Sequence, residues 1–137
     1  MIPAHTPLEV AEVIKDIIQD KTVCDVGCGD GLFMKELSKY AKDVFGIEQD
    51  EGLCELDAHD GLKVYNTDAF FEPLPPADVY YIWTKDVMGL VLKAQFEGTH
   101  GTFILGHTVR PSTLRFFHSL NPEIRHYKDF MIYIVNL

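Results

Sequence analysis

Residues 23–31 read VCDVGCGDG, so three glycines fall within five positions directly after a short apolar run. A turn so poor in side chains lets backbone approach another group closely, and it joins a buried strand to the next element of the chain. This stretch constrains the fold more than any other. A strand entering such a turn and leaving as a helix is the opening of an α/β unit.

The remaining chain continues that alternation. Leu8, Ala11, Val13 or Ile14 and Ile17 or Ile18 recur at helical spacing over 8–19, behind Thr6-Pro7, which suits an N-cap and first helical position. TVCDV (22–26), VFGIE (44–48), LKVYN (62–66), ADVYYIW (77–83) and GTFILGH (101–107) read as five strands. Helices are expected over 32–41, where Phe33, Leu37 and Tyr40 form the apolar side, and over 50–59, 86–96 and 112–120. The 124–136 tail is extended, as one long strand or as a hairpin around Lys128-Asp129. Strands alternating with helical connections predict an α/β fold, a single domain over 1–137 with a mostly parallel sheet, helices on both faces and a shortened antiparallel C-terminal end. Ligands of such sheets sit beyond the carboxyl ends of the strands, where the glycine turn lies.

Composition narrows the classes. The 137 residues suffice for one core, and 47% hydrophobic with 24% charged residues is an ordinary globular balance. No apolar run approaches the ~20 residues of a membrane span. The start, MIPAHTPLEV, lacks the basic and apolar segments of a signal peptide, and three cysteines are an odd number without a C-x-x-C pair. These features predict a cytoplasmic protein with reduced thiols and no membrane partner. The net charge is −9, split into −11 over residues 1–84 and +2 over 85–137. That acidity disfavours a nucleic-acid backbone and tolerates a cationic ligand or basic protein surface.

Glycine spacing separates the nucleotide readings. G-x-G-x-x-G fails in both frames, because Leu32 or Met34 stands where the third glycine is needed, and no Gly-Lys-Ser/Thr follows for a P-loop. A nicotinamide-binding domain is therefore disfavoured. The spacing present is D-x-G-x-G-x-G, formed by Asp25, Gly27, Gly29 and Gly31. It resembles motif I of class I, seven-strand S-adenosylmethionine-dependent methyltransferases, whose fold is a three-layer Rossmann-like domain. The resemblance implies that S-adenosyl-L-methionine is the cofactor. Its methionine end would lie in the loop of Gly27, Cys28, Gly29 and Gly31, its amine near Asp25 and its carboxylate near Thr6. Glu48, with Gln49 beside it, would take the ribose hydroxyls, and Asp68-Ala69 would read adenine.

The acceptor is less defined. The N/D-P-P-Y/F segment that related enzymes use for nucleobase or glutamine amines is replaced by YYIWTKD (80–86). A narrower resemblance runs to small protein-lysine methyltransferases, through Pro3-Ala4-His5-Thr6-Pro7, Glu48, Phe70-Phe71, Ala77-Asp78-Val79 and Gly106-His107, with Gly106 replacing the serine of that pattern. It implies a protein or small-molecule methyl acceptor and a site built on Trp83, Thr84 and His107. Tyr80, Tyr81, Trp83, Phe70 and Phe71 are candidates for an apolar, aromatic slot, which beside a sulfonium would depress the pKa of a lysine; aromatic faces also attract ammonium groups. Strand alternation puts Tyr81 with Trp83 and Tyr80 with Ile82. No set of side chains has metal-ligand spacing, so no metal is expected. The rival reading is a cofactor-binding module without catalysis, or one subunit of a heteromeric enzyme.

Overall fold

The structure, a computed structural model, describes residues 6–84, 86–106 and 110–137. Seven strands form one sheet in the order β3-β2-β1-β4-β5-β7-β6. The first five, β1 (Thr22–Val26), β2 (Asp43–Glu48), β3 (Val64–Asn66), β4 (Val79–Ile82) and β5 (Thr102–Leu105), are parallel. β7 (Phe130–Asn136) runs antiparallel to β5, and β6 (Glu123–Tyr127) pairs with β7. The tail is therefore a hairpin. Lys128 turns it with a positive φ of 53°, a conformation a residue with a side chain adopts at some cost.

Helices cover both faces, as expected. α1 (Val10–Val13), α2 (Lys15–Ile18) and α3 (Leu32–Leu37) share one core with Val23, Tyr81, Ile104 and Ile132. α5 (Val87–Phe96) and α6 (Pro111–Ser119) share the other with Tyr80, Ile82, Phe103 and Tyr133. β7 feeds both cores, with Phe130, Ile132 and Ile134 on one face and Tyr133 and Val135 on the other. α4 (Glu51–His59) is capped by Asp50, whose carboxylate accepts from Leu53 N–H at 3.0 Å.

Element bounds depart from the sequence expectation, and β4 keeps only four of the seven residues expected over 77–83. The 8–19 helix is two short helices that break at Ile14 (φ −106°, ψ 8°); Val10, Ala11, Ile14 and Ile18 are buried, Val13 and Ile17 partly so, and Leu8 is exposed. α3 stops at Leu37, four residues early. β3 shrinks to three residues at the sheet edge, where only one neighbour supplies hydrogen bonds.

The connection over 67–78 carries no helix and runs through Pro73, Pro75 and Pro76. Tyr80 organises it by donating its hydroxyl to Pro75 O at 2.7 Å and accepting from Ala77 N–H at 3.0 Å. Strand order reverses between β1 and β4, so a crevice opens at their carboxyl ends, beside the glycine turn.

Candidate functional site

Two cavities meet at Gly27. The first, about 390 Å³, is bordered by Thr6, Leu8, Asp25, Cys28, Phe33 and Trp83 among others. The second, about 430 Å³, is bordered by Glu48, Gln49, Asp68, Ala69, Thr84 and Asp86 among others. Gly27 and Gly29 border these spaces with positive φ of 79° and 55°. A Cβ on Gly29 would meet nothing within 4 Å, so the loop backbone faces open space that a side chain would fill.

Hydrogen bonds fix the acids. Glu48 Oε1 accepts from Gly29 N–H and Oε2 from Asp50 N–H, both at 2.9 Å. Each oxygen keeps acceptor capacity, since a carboxylate offers about four lone-pair sites. Asp68 Oδ1 accepts from Phe70 N–H at 2.9 Å, a local turn that holds the carboxylate at the second cavity. Asp25 is 3% exposed, and burial first, then the charges of Glu48 and Asp57, pushes its pKa up to about 7. A buried acid so perturbed, at a cavity, suits a cationic partner. Thr6 is buried at the first cavity, where its Oγ1 accepts from the Tyr81 hydroxyl at 3.3 Å.

The structure sorts the expected residues. Thr6, Asp25, Gly27, Cys28 and Gly29 come together at the first cavity, and Glu48, Gln49, Asp68 and Ala69 at the second. Gly31 is not among the residues bordering either. Its Cβ would stand 2.3 Å from Leu62 Cδ1 and 3.0 Å from Asp57 Oδ1, so packing between α3 and α4 explains that glycine. Trp83 and Thr84 part company, with the tryptophan bordering the first cavity and the threonine the second. Thr84 Oγ1 is buried and has no hydrogen-bond partner among the described residues. His107, like Pro3, Ala4 and His5, lies outside the described residues.

The five-aromatic slot is corrected. Tyr80 and Tyr81 are each 1% exposed and pack in opposite cores, as strand alternation requires. Phe71 is 83% exposed, whereas Phe70 borders the second cavity. Trp83 alone of the five borders the first.

Asp57 went unnoticed in sequence because its stretch reads as a solvated acidic helix. It is fully buried, accepts the Cys28 thiol proton at 3.8 Å, and burial raises its pKa. Asp86 borders the second cavity and caps α5 by accepting from Gly89 N–H at 3.0 Å. Its place before the apolar run VMGLVL was the signal. Among the described residues the cavity linings hold five carboxylates (Asp25, Asp30, Glu48, Asp68 and Asp86) and no lysine or arginine. No group of acids, histidines and cysteines among them could hold a metal ion. No helix among them is long and apolar enough to cross a membrane.

No family profile and no curated protein matches the sequence. Solved structures do match in shape. The sugar N-methyltransferase KedS8 from Streptoalloteichus sp ATCC 53650 superposes with a TM-score of 0.60 at 19% identity, over 75% of this chain and 49% of its own. This chain thus spans about half of that enzyme's length. The ribosomal protein L11 methylase of Lactobacillus delbrueckii subsp. bulgaricus gives 0.69 at 16% identity, over 97% of this chain and 79% of its own. PH1948 from Pyrococcus horikoshii, named for a proposed RNA methyltransferase activity, gives 0.70 at 20% identity, over 94% and 80%. That last neighbour leaves the expectation against nucleic acid without support. The strand order, the antiparallel hairpin and these superpositions agree: the chain has the seven-strand, Rossmann-like fold of class I methyltransferases.

Proposed function

We propose that this chain is an S-adenosylmethionine-dependent methyltransferase acting on an amine, with protein lysine as the acceptor. The observation that carries it is the register of three acids. Asp25 and Glu48 sit on neighbouring parallel strands and Asp68 just after the third, grouped around a glycine loop that faces open space. The cavities fit the cofactor's chemistry, with a buried acid for an amine, a backbone-held carboxylate for a diol and a second acid for an exocyclic amine. When bound, the sulfonium supplies an electrophilic methyl group.

The chain's own residues hold and screen. Asp25 would accept from the amine at the first cavity with Thr6 beside the carboxylate, and Glu48, held by the Gly29 N–H, would take the ribose with Gln49. Asp68 and the Ala69 N–H would read the base. Trp83, Phe33 and Leu8 line the first cavity with apolar surface. An acceptor ammonium entering there loses hydration, which lowers its pKa and favours the neutral, nucleophilic amine. Thr84 offers its unpaired hydroxyl to a ligand polar group, and His107 is the proposed proton acceptor. The acidic lining favours a cationic acceptor over a phosphorylated one.

Calorimetry with S-adenosylmethionine and S-adenosylhomocysteine tests the reading. Glu48→Ala is expected to weaken both about 10- to 100-fold, the worth of charge-assisted hydrogen bonds to a diol. Unchanged affinity in that variant, or no binding to the unaltered chain, overturns it. A second reading, a binding module that methylates only with a partner, is favoured by the helix-free 67–78 connection beside the second cavity. Turnover of a lysine peptide by the purified chain alone excludes that alternative.

A further inference from the structure

Trp83 occupies a place that two distant residues determine. Its indole stacks on Phe130 of β7, with ring centroids 4.5 Å apart and planes 18° from parallel. Its benzo side fills the space a Cβ on Gly106 would need, for such a carbon would stand 1.6 Å from Trp83 Cε3 and 2.2 Å from Cζ3. Only displacement of the indole would relieve that contact, so the indole holds its place because residue 106 is glycine. Phe130 is 7% exposed and rooted in the core, so it offers a fixed backing.

Trp83 also stands at the junction of the cavities. A Cβ on Gly27, which borders both, would lie 3.7 Å from Trp83 O and 3.3 Å from Thr84 Cγ2. The end of β4 is thus pressed against the glycine that joins the two compartments. Of the residues there, Trp83 has the largest side chain, and it faces the first cavity alongside Phe33 and Leu8.

From this arrangement we infer that Phe130 and Gly106 are the specificity-determining residues of the site. Neither borders the first cavity. They act through Trp83 as positioning residues: by fixing that residue at the border of the first cavity they favour an unbranched, primary aminoalkyl chain there over a branched amine. The inference rests on the methyltransferase reading and narrows its substrate class. The pair Trp83–Gly106 further explains why glycine stands where the lysine-methyltransferase pattern has serine.

The test uses two cofactor analogues whose sulfonium is replaced by nitrogen, one carrying a 3-aminopropyl group and the other a branched tert-alkyl amine. Calorimetry is expected to show the unaltered protein binding the straight analogue about tenfold or more tightly than the branched one, as steric discrimination by a pocket allows. In Phe130→Ala that preference should fall to about twofold, while S-adenosylhomocysteine binds within about twofold of the original. Phe130→Leu, which keeps most of the volume and guards against a folding failure, should give an intermediate ratio. Trp83 is the only tryptophan, so its fluorescence reports its own position. Emission should shift to the red and acrylamide quenching should rise in Phe130→Ala and in Gly106→Ala.

Unchanged discrimination in both Phe130 variants, with emission displaced, overturns the inference while the methyltransferase reading stands. A tenfold loss of S-adenosylhomocysteine binding in Phe130→Leu also overturns it, since Phe130 would then serve the cofactor. Failure of the unaltered chain to bind S-adenosylhomocysteine removes both readings together.

Discussion

Asp25 holds its proton to about pH 7 in the folded chain, against an ordinary value of 3.8. Between those values the native state binds one more proton than the unfolded chain, so this group's contribution to stability falls as pH rises from about 4 to 7. Asp25→Asn should remove that slope. Urea unfolding at pH 5 and pH 8 is expected to show the variant gaining at most about 3 kcal/mol on the original over that interval, as the pKa difference dictates. A cationic amine beside Asp25 favours the ionised form, so ligand binding should release a proton near pH 6. Calorimetry in phosphate and Tris, whose ionisation heats differ, would register that proton as a buffer-dependent enthalpy. The glycines divide between fold and ligand in the same way. Gly31→Ala strains a φ of 78° and drives a carbon into Leu62, so a loss of about 2–3 kcal/mol is expected in denaturant unfolding. Gly29→Ala meets no neighbour and should cost only about 1 kcal/mol of stability, yet cut S-adenosylhomocysteine affinity by filling the cradle.

Among the elements, the N-terminal helices are held from the far edge of the sheet. Arg125 on β6 donates to both carboxylate oxygens of Asp16 and to Val13 O at 2.8 Å, and its Nε donates to Glu123. Asp16 is largely exposed, so water weakens the ion pair, and the carbonyl contact supplies the more lasting part. Arg125→Met is expected to cost about 1–2 kcal/mol in urea unfolding and to loosen Thr6 at the first cavity. This tie could not be read from sequence, where Arg125 and Asp16 look like solvated charges 109 positions apart. The five parallel strands were legible because buried runs such as TVCDV and VYYI carry their own apolar signal. The break at Ile14 was not, because the apolar period continues through it while the backbone turns to follow the core. Of the site, Asp25, Glu48 and Asp68 were legible from their places at strand ends. Asp57, Gly106 and Phe130 were not, since their roles come from contacts that only the folded chain creates.

At the scale of the molecule, the hairpin is as much a part of the core as the parallel strands. β7 supplies Phe130, Ile132 and Ile134 to one face and Tyr133 and Val135 to the other, all buried. Five such side chains, at about 1.5–3 kcal/mol each, match the whole stability of a typical domain. Deletion of 121–137 should therefore abolish cooperative unfolding in circular dichroism rather than trim an appendage. The fit of Trp83 against Gly106 has a consequence for how such a chain can change over generations. A side chain at position 106 while the indole stands at 83 places two atoms in one volume, whereas glycine beside a smaller residue at 83 leaves only a void. The void is the cheaper state, costing about 2–5 kcal/mol at most. The order of substitutions is thereby directional, with glycine at 106 arising before tryptophan at 83 and tryptophan leaving before any larger residue returns. A chain can move along that path in single steps, each of which leaves a folded protein.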